Sequence, residues 1–195
     1  MFTRLLGLFG AVVLAAALAP AALAVRVHVR VEGRTQTIYG AAEPTLSAQA
    51  SALDALEAAS RAGEFYYHVR FFSFGAYVDQ IGLYPASGSF GWNFKVDGVS
   101  VPKAADTVQL RSGATVLWYW GNGGEPTLLL KRTAKRGCYR AFAQDKKGKL
   151  RVAVRSVLHV DGRAVPTKRG RACLAGPHGL VRATMRGAIR SNALP

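Results

Sequence analysis

The 195-residue chain has little of what catalysis and metal binding usually rest on. It holds no H-E-x-x-H, no G-x-S-x-G and no glycine-rich phosphate loop, so metallopeptidase, serine-hydrolase and nucleotide chemistry find no motif. The four histidines (His28, His68, His159, His178) stand apart with no ligand spacing among them. His28 falls on the polar side of an alternating segment and His178 in the turn "GPHG", and both read as solvated. Cysteine is limited to Cys138 and Cys173, far from the N-terminus, so no lipid-accepting cysteine is available there. One long apolar run is present and no second one follows it. These absences point to a protein that binds rather than reacts, with no metal and no resident cofactor.

The apolar run lies at the start. Arg4 precedes "LLGLFGAVVLAAALA", then Pro20 and the small-residue frame Ala22-Leu23-Ala24, the layout of a secretory signal peptide. A membrane anchor is the alternative, but the run is shorter than the roughly 20 apolar residues needed to span, and it carries a cleavage frame. The expectation is export, to the cell envelope or beyond it, with cleavage after Ala24 and no transmembrane segment in the product.

Charge divides what remains. From Val25 to Glu125 there are eight Lys/Arg against nine Asp/Glu; from Thr127 to Pro195 there are seventeen against two, Asp145 and Asp161. Such asymmetry suggests two units, 25–121 and 127–195, with the stretch "GNGGEP" (Gly121 to Pro126) supplying a short joint, 122–126, that keeps them close. Both cysteines lie in the basic unit, 35 residues apart. In an exported protein an even pair reads as one disulfide. A reactive thiol is the competing reading, since Cys138 follows Lys135-Arg136-Gly137 and cations lower a thiol pKa, but no His or acid is placed to serve it.

In the first unit "VRVHVRV" alternates without a break and predicts a half-buried strand, followed by a turn at Glu32-Gly33-Arg34 and a second strand in "TQTIYGA". Leu46, Ala50, Leu53, Leu56 and Ala59 or Ser60 recur at helical spacing and predict one amphipathic helix with Pro44 and Thr45 at its start and Gly63 after its end. Asp54 and Glu57, three apart, read as a solvated edge of that helix rather than a catalytic pair. Asp97-Gly98 predicts a tight hairpin turn. In "WNFKV" and "VLWYW", Trp92, Phe94, Val116 and Trp118 share core-facing positions. Leu117 and Tyr119 make the second strand apolar on its other face too, so something must cover that face.

The order "ALDALEAA", "YVDQIG", "GWNFKVDG", "AADTVQLRSGATVLWYW" resembles a secreted bacterial family of domains of unknown function related to the C-terminal domain of transcobalamin. The resemblance covers residues 25 to 121; Gly113-Ala114 departs from the Gly-Asp that the family often has before its last strand. It implies an α+β, β-grasp-like fold, a mixed sheet plus one helix, in an exported binding or surface domain. Cobalamin enters only by this analogy, because a separate helical domain completes the corrin pocket in transcobalamins and this chain has no room for one. Candidate ligand-binding aromatics are Tyr77, Tyr84, Tyr119 and Trp120, the last two as an exposed platform or as a docking surface for the second unit.

The second unit shows short alternating stretches, "CYRAFAQ", "KLRVAVRSVLHV" and "LVRATM", with turns at Asp145 to Gly148 and at Asp161-Gly162. This predicts a small all-β sandwich, similar to immunoglobulin-like or transthyretin-like repeats of exported bacterial proteins. "VDGVSVP" (96–102) and "VDGRAVP" (160–166) read as one hairpin chemistry used twice. A cationic sheet face suits an anionic partner, a cell-envelope polymer or surface protein, with Arg151, Arg155, Lys168, Arg169 and Arg171 as candidates. The competing reading is a merely solvated face. Aromatic interleaving is thin, only Tyr139 and Phe142, and export argues against a nucleic-acid role. The expected function is an exported, non-catalytic interaction module, with a carrier of cobalamin or a similar planar ligand as the alternative.

Overall fold

The unbroken valine alternation builds strand β1 (Val25–Glu32), whose Val27, Val29 and Val31 are fully buried. The computed structural model describes residues 24–195; the signal-peptide reading falls on residues 1–23 and lies outside them. Along β1's outer edge run two short antiparallel strands, β2 (Thr37–Tyr39) and β3 (Thr45–Ala48). The helix α1 (Ala52–Gly63) follows. It starts later than its apolar spacing suggests, because Thr45–Ala48 pairs with Val25–His28, and sheet hydrogen bonds outweigh a weak helical preference. Its start is set instead by a capping box. The Ser51 hydroxyl oxygen accepts from the Asp54 backbone N–H at 3.1 Å, while the Asp54 carboxylate accepts from the Ser51 N–H at 2.9 Å.

After α1 come β4 (Tyr67–Phe72), β5 (Gly75–Ile81) and β6 (Tyr84–Pro85), a separate three-stranded sheet. The chain then returns to the first sheet with β7 (Gly91–Val96), β8 (Val99–Ser100), a 3-10 turn (Ala105–Thr107) and β9 (Thr115–Gly121). The first sheet has six strands and is mixed: β1 and β9 are parallel, β7 is antiparallel to β9 and β8 to β7. The hairpin between β7 and β8 turns at Asp97-Gly98, both at positive φ (50° and 79°), the backbone that two-residue hairpins require. One face of this sheet packs on α1 through Ala52, Ala55, Leu56 and Ala59, with Trp92, Val116 and Trp118 filling the space between. Those two tryptophans are core, 6 % and 1 % exposed.

Residues 127–195 form two four-stranded sheets. The first contains β10 (Thr127–Arg132), β11 (Cys138–Gln144), β12 (Leu150–Val152) and β15 (Arg171–Cys173). The second contains β13 (Val157–Val160), β14 (Arg163–Pro166), β16 (Val181–Thr184) and β17 (Ala193–Leu194). Leu128, Leu130, Tyr139 and Ala141 from the first and Leu158, Val160, Val181 and Ala183 from the second make one hydrophobic cluster, which shares no residue with the cluster around α1. The segment "KLRVAVRSVLHV" is not one strand, as its alternation suggests. Hydrogen bonds from Val154 N–H to Val152 O and from Ser156 N–H to Ala153 O turn the chain between β12 and β13, moving it from one sheet to the other. Asp161-Gly162 repeats the turn of Asp97-Gly98, with φ of 48° and 73°. Among the described residues no helix is long and apolar enough to cross a membrane.

Candidate functional site

The face of the mixed sheet turned away from α1 is covered by residues 127–195. Lys95 on β7 is fully buried there; its Nζ donates to Thr127 Oγ1 (3.0 Å) and to the carbonyls of Gln144 (3.2 Å) and Asp145 (2.9 Å). Burial, opposed only in part by the charge of Asp145, lowers its ammonium to about 8. On β1, Glu32 is also fully buried and gathers three arginines: Arg30 at 3.3 Å, Arg190 at 2.9 Å and Arg182 at 3.7 Å. Arg30 and Arg190 go on to tie the seam, through Arg30 Nη1 to Arg190 O (2.7 Å) and Arg190 Nη2 to Gly33 O (2.5 Å). The alternation places Arg30 on a polar strand face; the structure makes that face an interior one.

Tyr119 belongs to the same covered face, and this corrects its reading as part of an exposed platform: it is 1 % exposed. Burial raises its phenol pKa, and the nearby Glu125 carboxylate adds to the rise. Trp120, half-buried at the seam, stacks on Phe90 (centroids 5.1 Å apart) with the Arg34 guanidinium 5.7 Å above its ring. Tyr84 is half-buried and meets Thr35 Oγ1 at 2.9 Å. Only Tyr77 of the four candidate aromatics faces open space. It lines a groove of about 1100 Å³ beside β7, with Phe74, Trp92, Asn93 and Phe94 among its walls. The four therefore do not converge on one site.

On the outer side of the hairpin formed by β4 and β5, the Asp79 carboxylate holds His68 Nδ1 and Arg70 Nε, each at 2.6 Å. Desolvation alone would raise this carboxyl, but hydrogen bonds and charge from His68 and then Arg70 outweigh it and hold the pKa below the ordinary value. Besides this trio, the pocket here is lined by Tyr66, Tyr77, Gln80, Pro85 and Ala86, with no serine, cysteine or lysine among them. Asp54 and Glu57 have separate structural tasks: the cap of α1, and a contact with Arg61 and the Tyr67 hydroxyl. Burial and the bond to Glu57 raise the Tyr67 phenol. Among the described residues no three His, Cys, Asp or Glu side chains gather as metal ligands.

The basic half carries the clearest concentration of one chemistry. Register pairs Lys131 on β10 with Arg140 on β11, and Arg140 with Arg171 on β15, so three cations stand side by side on one face. All three are exposed. Phe142, two residues beyond Arg140 on the same face, lies under Lys131 Nζ (5.9 Å) and the Arg140 guanidinium (5.7 Å). Arg151, Arg155, Lys168 and Arg169 are exposed as well, and the Lys168–Arg171 turn packs on the first sheet through a hydrogen bond from Ala141 N–H to Gly170 O. Of the five sequence candidates, only Arg171 stands in the cross-strand row; Lys131 and Arg140 were missed because register is invisible in a single strand. The signal available was the even spacing of Arg140 and Phe142 in "CYRAFAQ". Of the seventeen cations in this half, Arg182 and Arg190 pair with Glu32, and no other ion pair to the half is present among the described residues.

Beside this row Cys138 and Cys173 are joined in a disulfide that staples β11 to β15. Residues 49–122 match the family model described as Domain of unknown function (DUF4430). The match begins after β1, β2 and β3, although β1 is a central strand of the same sheet. No curated protein matches the chain.

Proposed function

We propose that this protein is an exported, non-catalytic binding module whose basic half attaches to an anionic polymer of the cell envelope. The observation that carries the reading is the exposed row Lys131, Arg140, Arg171, whose first two cations lie over Phe142. Like charges directly opposite one another on a sheet destabilise it, by up to about 1 kcal/mol per pair. A row of three, in a half with almost no acids, is costly to the free fold and is relieved when phosphate or carboxylate groups of a polymer neutralise it. Arg151, Arg155, Lys168 and Arg169 extend the positive field around the row. The disulfide suits an oxidising compartment and pins β15 to β11, fixing Arg171 beside Arg140.

The strand order β2-β1-β9-β7 with a parallel central pair and one crossing helix supports a β-grasp-like reading of the first half. The shared cluster of two antiparallel sheets supports a sandwich-like second half. The deciding experiment is binding of the mature chain to a wall teichoic acid or polyuronate across a salt series. Affinity should fall steeply with salt, and the slope of log K against log salt should shrink by about 2 to 3 in Lys131→Ser/Arg140→Ser/Arg171→Ser. A triple variant that binds with unchanged affinity and slope would sink the reading.

A second reading, a carrier of cobalamin or another planar ligand, is favoured by the groove beside Tyr77, which has the size and aromatic lining of a ligand site. Salt-independent quenching of tryptophan fluorescence that saturates with cobalamin and is lost in Tyr77→Ala would replace the first reading with this one.

A further inference from the structure

A cluster of exposed phenylalanines serves neither reading as an apolar surface, although one of them, Phe74, also walls the groove beside Tyr77. The hairpin of β4 and β5 ends at Ser73-Phe74, and around that turn Phe71, Phe72 and Phe74 are 73 %, 49 % and 63 % exposed. Phe72 and Phe74 stack on each other, with centroids 5.1 Å apart and planes 11° from parallel. Three phenylalanines on one protruding tip exceed the scattered apolar residues that any surface carries.

The tip is held in place. Asp106, from the 3-10 turn, accepts the Ala76 backbone N–H at 3.0 Å. Gly75 sits at φ 116°, where a Cβ would come within 2.5 Å of Ala104 Cβ and 2.8 Å of Asp106 Oδ1. The phenylalanines are thus presented by an anchored turn, and the ordering cost of docking them is already met in the fold. Charge around the tip is mostly positive. Lys103, Lys146 and Lys147 line the groove that Phe74 and Tyr77 also line, and all three are exposed. Asp106, the acid beside the tip, is bound to the tip's own backbone.

We infer that this hairpin tip inserts into the interface of an anionic lipid bilayer, with Phe71, Phe72 and Phe74 entering the boundary between headgroups and acyl chains and the three lysines meeting headgroup phosphates. An exposed apolar cluster flanked by lysines matches a surface that is anionic outside and apolar beneath. Aromatic rings settle at that depth, and cations within a Debye length of an anionic leaflet add attraction for each charge. The phenylalanines belong to the first half, and although Lys146 and Lys147 come from the basic half they stand outside the Lys131–Arg140–Arg171 row, so variants at the tip and in the row test the two contacts separately.

The test uses the mature full-length chain and vesicles of phosphatidylcholine, alone or with about a third phosphatidylglycerol, a composition in which lysines contribute measurable attraction. The chain should sediment with the anionic vesicles and far less with the neutral ones. A Phe74→Trp variant should gain blue-shifted emission on binding. In Phe71→Ser/Phe74→Ser, vesicle affinity should fall about tenfold or more, the scale set by losing two apolar side chains from the interface, with polymer binding unchanged. Lys131→Ser/Arg140→Ser/Arg171→Ser should keep the blue shift. Equal sedimentation of the serine variant, no blue shift with anionic vesicles, or a tip that binds a purified protein and not lipid would each overturn the inference.

Discussion

Replacing Glu32 with glutamine keeps the shape of the side chain and removes the negative charge that Arg30, Arg182 and Arg190 share at the seam. The carboxylate is fully buried, accepts from Arg190 Nε at 2.9 Å, from Arg30 Nη1 at 3.3 Å and from Thr37 Oγ1 at 2.9 Å, and lies 3.7 Å from Arg182. Without it, Arg30, whose side chain is 4 % exposed, has only Glu43 as counter-charge, and Arg182 and Arg190 face each other unneutralised at 18 % exposure. Removing one partner of a buried ion pair costs about 3 to 5 kcal/mol. Because two of the arginines retain some water, we place the loss near the lower end, about 3 kcal/mol, or roughly 6 to 12 °C in melting temperature for a chain of this size. Scanning calorimetry should show that drop. Arg61→Ala, which breaks an exposed pair on α1 (79 % and 37 % exposed), should stay within about 1 kcal/mol of wild type. If Glu32→Gln melted within about 1 °C of wild type, the cluster would contribute no net stability and the seam would be held by other contacts.

Three further outcomes follow from the same contacts. Lys95, folded at about 8 against its ordinary 10.5, binds its proton more weakly in the native state than in the unfolded chain, so its part of the stability rises with pH between those values. Urea midpoints of wild type minus Lys95→Met should therefore climb from pH 8 to about pH 10; a flat difference would refute it. Cys138→Ala/Cys173→Ala should lose about 2 to 4 kcal/mol in a thermal or urea melt, since the bridge closes a loop of 35 residues and is the covalent tie between β11 and β15. Ser51→Ala should cost about 1 kcal/mol, read by urea unfolding, because the N-cap acceptor for Asp54 N–H is lost.

Local chemistry was legible wherever neighbours in the chain decide the outcome. The valines of β1, the two Asp-Gly hairpins and the core positions of Trp92 and Trp118 all follow from period and turn preference. The double apolarity of "VLWYW" even demanded a cover for the face that Tyr119 occupies. The start of α1 was misplaced because "TLSA" has helical spacing as well as strand capacity, and only β1, twenty residues earlier, resolves the tie. "KLRVAVRSVLHV" failed in the same way: its alternation continues past a point where hydrogen bonds at Ala153 fold the chain into a second sheet.

Composition determined that charge divides the chain and that the cysteines have only each other to pair with. What the tertiary structure alone decided is which charges meet. Arg190 and Glu32 are 158 residues apart and share a buried seam; Lys131, Arg140 and Arg171 come from three strands and form one exposed row. The physical reason is that strand period places a side chain on a face, whereas register and packing choose its neighbours. For a charge, the neighbours settle whether it is buried in a pair or left to attract a partner.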